Sequence, residues 1–232
     1  RLKFWGVRGS IPSPGPATVR YGGNTACVSL HAHGEIIILD AGTGLRPFGR
    51  ELMAEFKEQP LNLTLLLSHT HWDHIQGLPF FLLFYLPHCR MRILGFEGAR
   101  RGLVNVLTGQ MESPYFPVPF GELPGNIEVE ELKDLDFKVG PVRVRAWFSN
   151  HPGICVGYRL FTDEGSVVFF FDNETPCRYD ADGQVQPTRK DASLDYARAQ
   201  EEKMLEFIRG ADVLILDALR PRHQRELGRG YA

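Results

Sequence analysis

Short apolar runs along the chain each end abruptly at a polar residue. Five of these runs are rich in β-branched and aromatic residues, which is typical of buried strands. They are EIIILDAG at 35–42, LTLLLSHTH at 63–71, VRAWFSNH at 144–151, VVFFFDNE at 167–174 and VLILDA at 213–218. The pattern predicts buried strands that deliver polar side chains at their carboxyl ends.

Two segments between these runs have the spacing of helices. One begins at Ser193, a plausible N-cap, and stops at Gly210, and the other lies within 98–111. Strands interleaved with helices predict an α/β layered architecture. Because no internal repeat or low-complexity linker interrupts the pattern, we expect residues 1–232 to form a single domain.

The segment ESPYFPVPFGELPG at 112–125 carries four prolines and three aromatic residues. This composition forbids regular structure and predicts a stiff loop with apolar side chains. The loop is either a surface connection packed by its own rings or a wall over a substrate site.

Composition narrows the class of protein. The 232 residues carry a formal net charge of −2 and are 43% hydrophobic, as in soluble globular proteins, and no global basic field supports a nucleic-acid partner. The four cysteines are scattered and form no CxxC pair, so we expect reduced thiols and a cytoplasmic protein. The longest apolar run, at 78–87, is far shorter than the roughly 18 residues that suggest a membrane span.

The stretch SHTHWDH at 68–74 holds three of the eight histidines within six residues, with Asp73 between them. Zinc, iron and manganese bind neutral imidazole and ionised carboxylate. In a tight loop after a strand, His69 and His71 can converge on one metal ion while Asp73 and His74 point at a second. One closed tetrahedral site would be crowded by four ligands from one loop. The alternative is a cluster of surface histidines without metal.

Two further polar residues follow buried strands as the cluster does. His151 and Asp172 occupy such positions, so all three groups could meet at one edge of a sheet sandwich. His31 and His33 provide a contrast, because their i, i+2 spacing on a predicted strand places both rings on one face with no acid beside them. We interpret that pair as a solvated strand face.

The signature HTHWDH, followed by an isolated histidine and then an aspartate at strand ends, resembles the metallo-β-lactamase superfamily. The resemblance covers nearly the whole chain. Five further stretches are similar to the bacterial branch related to ribonuclease Z and the cyclic phosphodiesterases: FWGVRGSIPSPG, YGGNTACV, LDAGTGLR, QGLPFF and PYFPV.

The resemblance implies an αββα four-layer sandwich with two divalent metal ions at the edge of its two sheets. We expect zinc, with manganese or iron as alternatives. Carried over position by position, the implied ligands are His69, His71 and His151 for one ion, Asp73 and His74 for the other, and Asp172 as a bridge between them.

Asp40 in LDAGTG matches the position that braces the ligand loop by hydrogen bonding, a task that fixes the orientation of an imidazole. The alternative for Asp40 is a simple turn-forming residue before Gly42.

Many β-lactamases of this superfamily carry a cysteine on the second metal, and here the matching strand end offers Asp172. A hard oxygen bridge points toward phosphodiesters, since two ions about 3.5 to 4 Å apart suit in-line displacement at phosphorus. The expected function is cleavage of a phosphodiester, a cyclic nucleotide or small nucleotide ester, by a metal-activated hydroxide that Asp73 orients. The alternatives are a thioester, lactone or lactam hydrolase with the same site, and a non-catalytic nucleotide-binding module.

The expected partner is a small-molecule phosphodiester substrate, and we expect no binding to a membrane or to nucleic acid. A homodimer is a further possibility, because relatives with this fold often dimerise. A stacking role for Tyr115 or Phe116 against a base competes with ordinary core packing. The general acid is not identified.

A complete site in this family has one more histidine, in a segment similar to RGWGHS after an HDA strand. This chain has LDALRPRHQRELGRGYA and ends at Ala232, where that histidine would come next. We expect the last ligand to lie beyond Ala232. The alternatives for His223 are a substitute ligand and an ordinary loop or helix-start histidine.

Overall fold

Two sheets dominate the computed structural model, which describes residues 1–96, 102–179, 184–189 and 192–217. The first sheet has six strands in the order β1-β2-β3-β4-β5-β6. Their bounds are Leu2–Gly6, Cys27–Ala32, Glu35–Leu39, Leu61–Leu66, Cys89–Gly95 and Asn126–Glu131. The strands β3 to β6 are parallel, so their carboxyl ends lie along one edge.

The second sheet has five strands in the order β13-β10-β9-β8-β7. In that order they span Val213–Leu216, Gly165–Phe170, Val156–Thr162, Val142–Phe148 and Asp136–Val139. A small two-stranded sheet pairs β11, Cys177–Tyr179, with β12, Val185–Pro187. The described residues also form four short 3-10 helices and four α-helices: α1 Leu45–Phe56, α2 Trp72–Ile75, α3 Leu103–Gly109 and α4 Leu194–Ile208.

Three apolar layers separate these elements. One layer joins α1 and α3 to the outer face of the first sheet, a second fills the space between the two sheets, and a third packs Phe207 of α4 on Val168 and Phe170. The order of layers is therefore helix, sheet, sheet, helix, which confirms the predicted αββα sandwich.

The continuous apolar runs have a direct structural cause. In β3, Ile36 and Ile38 belong to the layer beneath the helices, while Ile37 and Leu39 belong to the layer between the sheets. Alternate side chains of a strand point to opposite faces, and both faces of this sheet are covered, so the four consecutive positions 36–39 are all apolar.

Both predicted helices are observed. The side chain of Ser193 accepts a hydrogen bond from the Tyr196 N–H and caps α4, as predicted. The helix predicted within 98–111 is observed as α3, from Leu103 to Gly109.

Two local predictions are wrong. The strand β2 ends at Ala32, and His33 has a φ of 53° in the turn that follows, so His31 and His33 do not share a strand face. The second half of the histidine cluster, predicted to lie in a tight loop, instead forms the single-turn helix α2 at residues 72 to 75.

All four cysteine thiols are buried and form no disulfide. Among the described helices, none combines the length and the apolar character that crossing a membrane requires.

Candidate metal centre

The predicted site residues meet at one edge of the sandwich. His69 and His71 follow β4, Asp73 and His74 lie on α2, and the remaining two residues follow strands of the second sheet, His151 after β8 and Asp172 after β10. Both sheets therefore supply side chains to the same place, as the positions of the polar strand ends predicted.

Three imidazole nitrogens converge in the first group. His69 Nε2 lies 2.9 Å from His71 Nδ1, which lies 3.0 Å from His151 Nε2. Asp172 Oδ2 stands 3.4 Å from His69 Nε2 and 3.7 Å from His151 Nε2. Ligand atoms on a tetrahedral zinc ion are separated by about 3.3 Å, given zinc–nitrogen bonds of about 2.0 Å, so the group is close to the size that the ion requires.

A second group shares the bridging carboxylate. His74 Nε2 lies 3.2 Å from Asp172 Oδ2 and 3.5 Å from Asp73 Oδ2. The four candidate ligand atoms of the first group and the three of the second each lie within 4.8 Å of one another. Asp172 belongs to both groups, which is the arrangement that a bridging ligand needs.

Asp40 fixes the orientation of one histidine in each group, His69 through Ser68 and His74 directly. Its Oδ2 accepts hydrogen bonds from the Ser68 hydroxyl at 2.8 Å and from His74 Nδ1 at 2.7 Å, and its Oδ1 accepts from the Ser68 N–H at 2.7 Å. Since the Ser68 hydroxyl donates to Asp40, it must accept from His69 Nδ1, 3.0 Å away. Both imidazoles thus carry a proton on Nδ1 and leave Nε2 directed at the site.

The backbone at the two central aspartates is unusual. Asp40 has a φ of 59° and Asp172 a φ of 48°, in the left-handed region that aspartate tolerates better than most residues. Each residue lies at a sharp turn after a buried strand. Asp40 thus forms a sharp turn and also accepts hydrogen bonds from Ser68 and His74.

The helix α2 rests directly on the turn that contains Asp40. The Ala41 N–H donates to the His74 carbonyl, and the Gly77 N–H donates to the Ala41 carbonyl, both at 2.8 Å. A Cβ atom on Gly42 would lie 2.3 Å from the Asp73 carbonyl oxygen. Only glycine allows this approach, which explains the spacing of LDAG and HTHWDHIQG.

Ser10 is a site residue that sequence reasoning missed. Its N–H donates to Asp73 Oδ2 at 2.7 Å and ties the loop after β1 to the second group. The residues are 63 positions apart, and no periodic pattern links them. The only available signal was the motif FWGVRGSIPSPG, which contains Ser10.

A pair of asparagines was also missed. Asn150 precedes His151 and Asn173 follows Asp172, and the Asn150 N–H donates to Asn173 Oδ1 at 3.0 Å. Asn150 Nδ2 donates to the Glu174 carbonyl at 3.0 Å, and the Glu174 N–H returns a bond to the Asn150 carbonyl at 2.9 Å. We call these contacts the asparagine clamp, because they hold the loops of His151 and Asp172 together.

Solved structures of other proteins share this architecture. A diphosphatase from the PhnP family aligns with a TM-score of 0.59 at 17% identity, over 94% of this chain and 74% of the other. A metallo-β-lactamase from Cronobacter sakazakii, a mutant of its HARLDQ motif, aligns with a TM-score of 0.50 at 18% identity, over 90% and 81%. The chain has the metallo-β-lactamase fold.

The sequence is similar to proteins named ribonuclease Z. The one from Agathobacter rectalis is 27% identical over 217 residues, which cover 83% of this chain and 68% of the relative. The chain spans 61% and 48% of the length of two further relatives of that name. No protein-family model matches the chain. The resemblance to the ribonuclease Z-like branch is thereby confirmed.

The carboxylates of this metallo-β-lactamase-fold site have low pKa values. Burial would raise the pKa of Asp172, but hydrogen bonds with His69 and His74 hold it far below its ordinary value. Burial would also raise the pKa of Asp73, but hydrogen bonds with His74 and the Ser10 N–H lower it below its ordinary value. Both carboxylates are therefore ionised near neutral pH.

The histidines divide into two kinds. Burial lowers the pKa of His151 to about 4, against the opposing effect of Asp172. Burial and the neighbouring His69 lower the pKa of His71. Burial likewise disfavours the charged form of His74, but Asp40, Asp172 and Asp73 together raise its pKa well above the ordinary value. His71 and His151 are thus ready to accept a cation, whereas His74 holds a proton that a cation must displace.

The other sequence predictions fall at the margin of the site or outside the described residues. Phe116 packs edge-on against Phe80, with ring centroids 5.6 Å apart, and belongs to the core beneath the helices. Tyr115 is 82% exposed and remains available for contacts. His223 and the residues up to Ala232 lie outside the described part of the chain.

Proposed function

We propose that the protein is a metal-dependent hydrolase that cleaves phosphodiesters. The observation that carries the proposal is the pair of ligand groups that share Asp172 Oδ2. One carboxylate oxygen within 3.7 Å of three imidazole nitrogens from two groups is expected of a bridge between two ions.

The donor set fits two divalent ions. His69, His71 and His151 would hold the first ion, Asp73 and His74 the second, and Asp172 both. Imidazole and carboxylate suit zinc, and manganese and iron accept the same ligands. When bound, two such ions lower the pKa of a shared water toward about 7 and offset negative charge on the phosphate oxygens.

Asp73 is the candidate catalytic residue. Its Oδ2 accepts from the Ser10 N–H and faces His74, while its Oδ1 makes no hydrogen bond with the described residues. The side chain is ionised and nearly buried, so Oδ1 can accept a proton from an attacking water and hold that water in line with the phosphorus atom.

The substrate that we propose is a cyclic nucleotide or a small nucleotide ester. A net charge of −2 provides no general attraction for a long polyanion. The relatives named ribonuclease Z nevertheless make RNA a substrate to be tested beside the small esters.

The test is hydrolysis by protein loaded with zinc or manganese. We expect turnover of bis(p-nitrophenyl) phosphate and of a cyclic nucleotide, and none of nitrocefin or a lactone. Asp73→Asn should reduce turnover by roughly 10² to 10⁴, the range for loss of a general base. Asp134→Asn, which changes an exposed aspartate far from the site in sequence, is the matched control and should behave as the wild type.

Two outcomes would contradict the proposal. Turnover of the lactone or nitrocefin without the phosphodiesters would assign the alternative hydrolase reaction. Full metal loading without turnover of any substrate, a precursor tRNA included, would favour the nucleotide-binding module.

A further inference from the structure

A cavity of about 260 Å³ lies beside the candidate metal centre, between β8, β10 and α4. His151 forms part of its wall, and so does Asn173, the residue after Asp172. The cavity and the metal centre therefore share a boundary, although none of the other five proposed ligands lines the cavity.

Part of the cavity lining is apolar and partly aromatic. Trp147, Phe170, Ala197 and Met204 line it. The rings of Trp147 and Phe170 are backed by Phe207, with centroids 6.2 and 5.9 Å away. The ring of Trp147, which is only partly buried, can therefore offer a fixed flat surface to another planar ring, whereas Phe170 is 1% exposed.

The lining also contains three carboxamides, those of Asn150, Asn173 and Gln200. A carboxamide both donates and accepts, which matches the mixed edge of a nucleobase. Gln200 makes no side-chain hydrogen bond with the described residues. Asn173 Nδ2 donates only to the Met204 sulfur, at 3.1 Å, and a thioether is a weak acceptor that a better one can replace.

His151 adds an unsatisfied donor. Its Nδ1 is shielded from solvent and has no hydrogen-bond partner within the described structure. With Nε2 turned to the metal centre, Nδ1 carries the proton, and a ligating histidine normally donates that proton to an oxygen or to water. His69 and His74 have such acceptors, in Ser68 and Asp40, whereas the buried Nδ1 of His151 has none among the described residues.

We propose that the cavity is a nucleobase pocket that holds the base of the substrate while the phosphodiester reaches the metal centre past His151. This inference rests on the proposed function, and it adds the place where the base of such a substrate would bind. The volume lies below the roughly 300 Å³ at which pockets for drug-sized ligands begin, so the cavity suits a single base.

The experiment uses nucleosides, which contain the base but no phosphate. Binding of adenosine, guanosine, cytidine and uridine to metal-free protein is followed by the fluorescence of Trp147 in the Trp5→Phe, Trp72→Phe background. We expect saturable quenching by at least one nucleoside and none by ribose. Gln200→Leu should weaken that binding about tenfold or more, as expected when a buried polar contact is lost. The matched control is Gln59→Leu, which changes an exposed glutamine and should leave binding unchanged.

A second variant keeps the test independent of that amide. Ala197→Phe should fill the cavity and abolish quenching, while circular dichroism checks that the protein remains folded. Quenching that is absent in the wild type, or that survives both variants, would overturn the pocket. Nucleoside binding needs neither metal nor turnover, so the two proposals can fail separately. A protein that hydrolyses phosphodiesters but does not bind nucleosides would contradict only the pocket. A protein that binds nucleosides but does not hydrolyse phosphodiesters would contradict only the proposed function.

Discussion

At the scale of single residues, we expect the protonation of His74 to control metal binding at the candidate centre. Its imidazole lies among Asp40, Asp73 and Asp172, and these carboxylates raise its pKa despite burial. In the metal-free protein the ring therefore carries protons on both nitrogens. An ion can bind Nε2 only after that proton leaves, while Nδ1 keeps its bond to Asp40.

This competition predicts a pH dependence of metal binding. Below the raised pKa of His74, the affinity of the second group should increase about tenfold per pH unit, and above that pKa it should level off. Calorimetric titration of zinc in buffers of different ionisation enthalpy should show about one proton released by His74. Metal binding that releases no proton at any pH would contradict the assignment.

The stability of the metal-free protein should change in the opposite direction. Because the folded-state pKa of His74 lies above its unfolded value, the stabilisation from its charged form is complete below the ordinary histidine pKa and is lost as the pH rises through the folded pKa. Thermal unfolding of chelator-treated protein measures this. Asp40→Asn should shift both transitions to lower pH, since asparagine tolerates the left-handed backbone but removes a negative charge, and Asp134→Asn should shift neither.

At the scale of elements, the site depends on two loops that follow strands of the second sheet. The backbone turns sharply at Asp172, and His151 lies on the loop after β8. The asparagine clamp joins these loops through three hydrogen bonds of 2.9 to 3.0 Å. The clamp therefore determines how far Asp172 stands from the first group of histidines.

Substitution of Asn173 tests the clamp. Asn173→Ala removes the acceptor for the Asn150 N–H and should weaken metal binding by about tenfold, the lower end of the range for residues that support ligands. Asn173→Asp keeps the acceptor and should retain the affinity, since the added charge favours a cation. Competition with a chromophoric chelator gives both affinities, with Asn62→Ala on the exposed face of β4 as control. Equal losses of metal affinity in the alanine and aspartate variants would show that the missing acceptor is not the cause of the loss.

The sequence allowed the cluster of candidate ligands to be predicted but not the contacts that support it. The ligands follow apolar runs, and a strand that is buried on both faces leaves a clear signal such as EIIIL. Supporting contacts join distant residues, such as Ser10 with Asp73 or Asn150 with Asn173, and such pairs have no periodicity. His33 was misassigned because alternation alone does not show where a strand ends and its turn begins.

At the scale of the whole molecule, the metal-binding loop after β4 is held by both sheets. Its strand belongs to the first sheet, while two bonds come from β9 in the second. The Val156 N–H donates to the Ser68 carbonyl at 2.9 Å, and the hydroxyl of Tyr158 donates to the Leu67 carbonyl at 2.6 Å. Relative movement of the sheets would therefore displace the loop that leads to His69.

Tyr158→Phe tests this connection between the sheets. The ring is fully buried in the layer between the sheets, so phenylalanine keeps the packing and leaves the Leu67 carbonyl without its partner. The free energy of unfolding should fall by about 1 to 3 kcal/mol, the cost of an unsatisfied buried acceptor. Denaturant unfolding of the metal-free protein measures the change, and Tyr115→Phe, at an 82% exposed position, should leave it unaltered.

Metal affinity should change little, because the Val156 bond and the bonds of Asp40 still hold Ser68. A large loss of affinity without a loss of stability would instead mean that the tyrosine acts on the ligand loop alone and does not hold the sheets together.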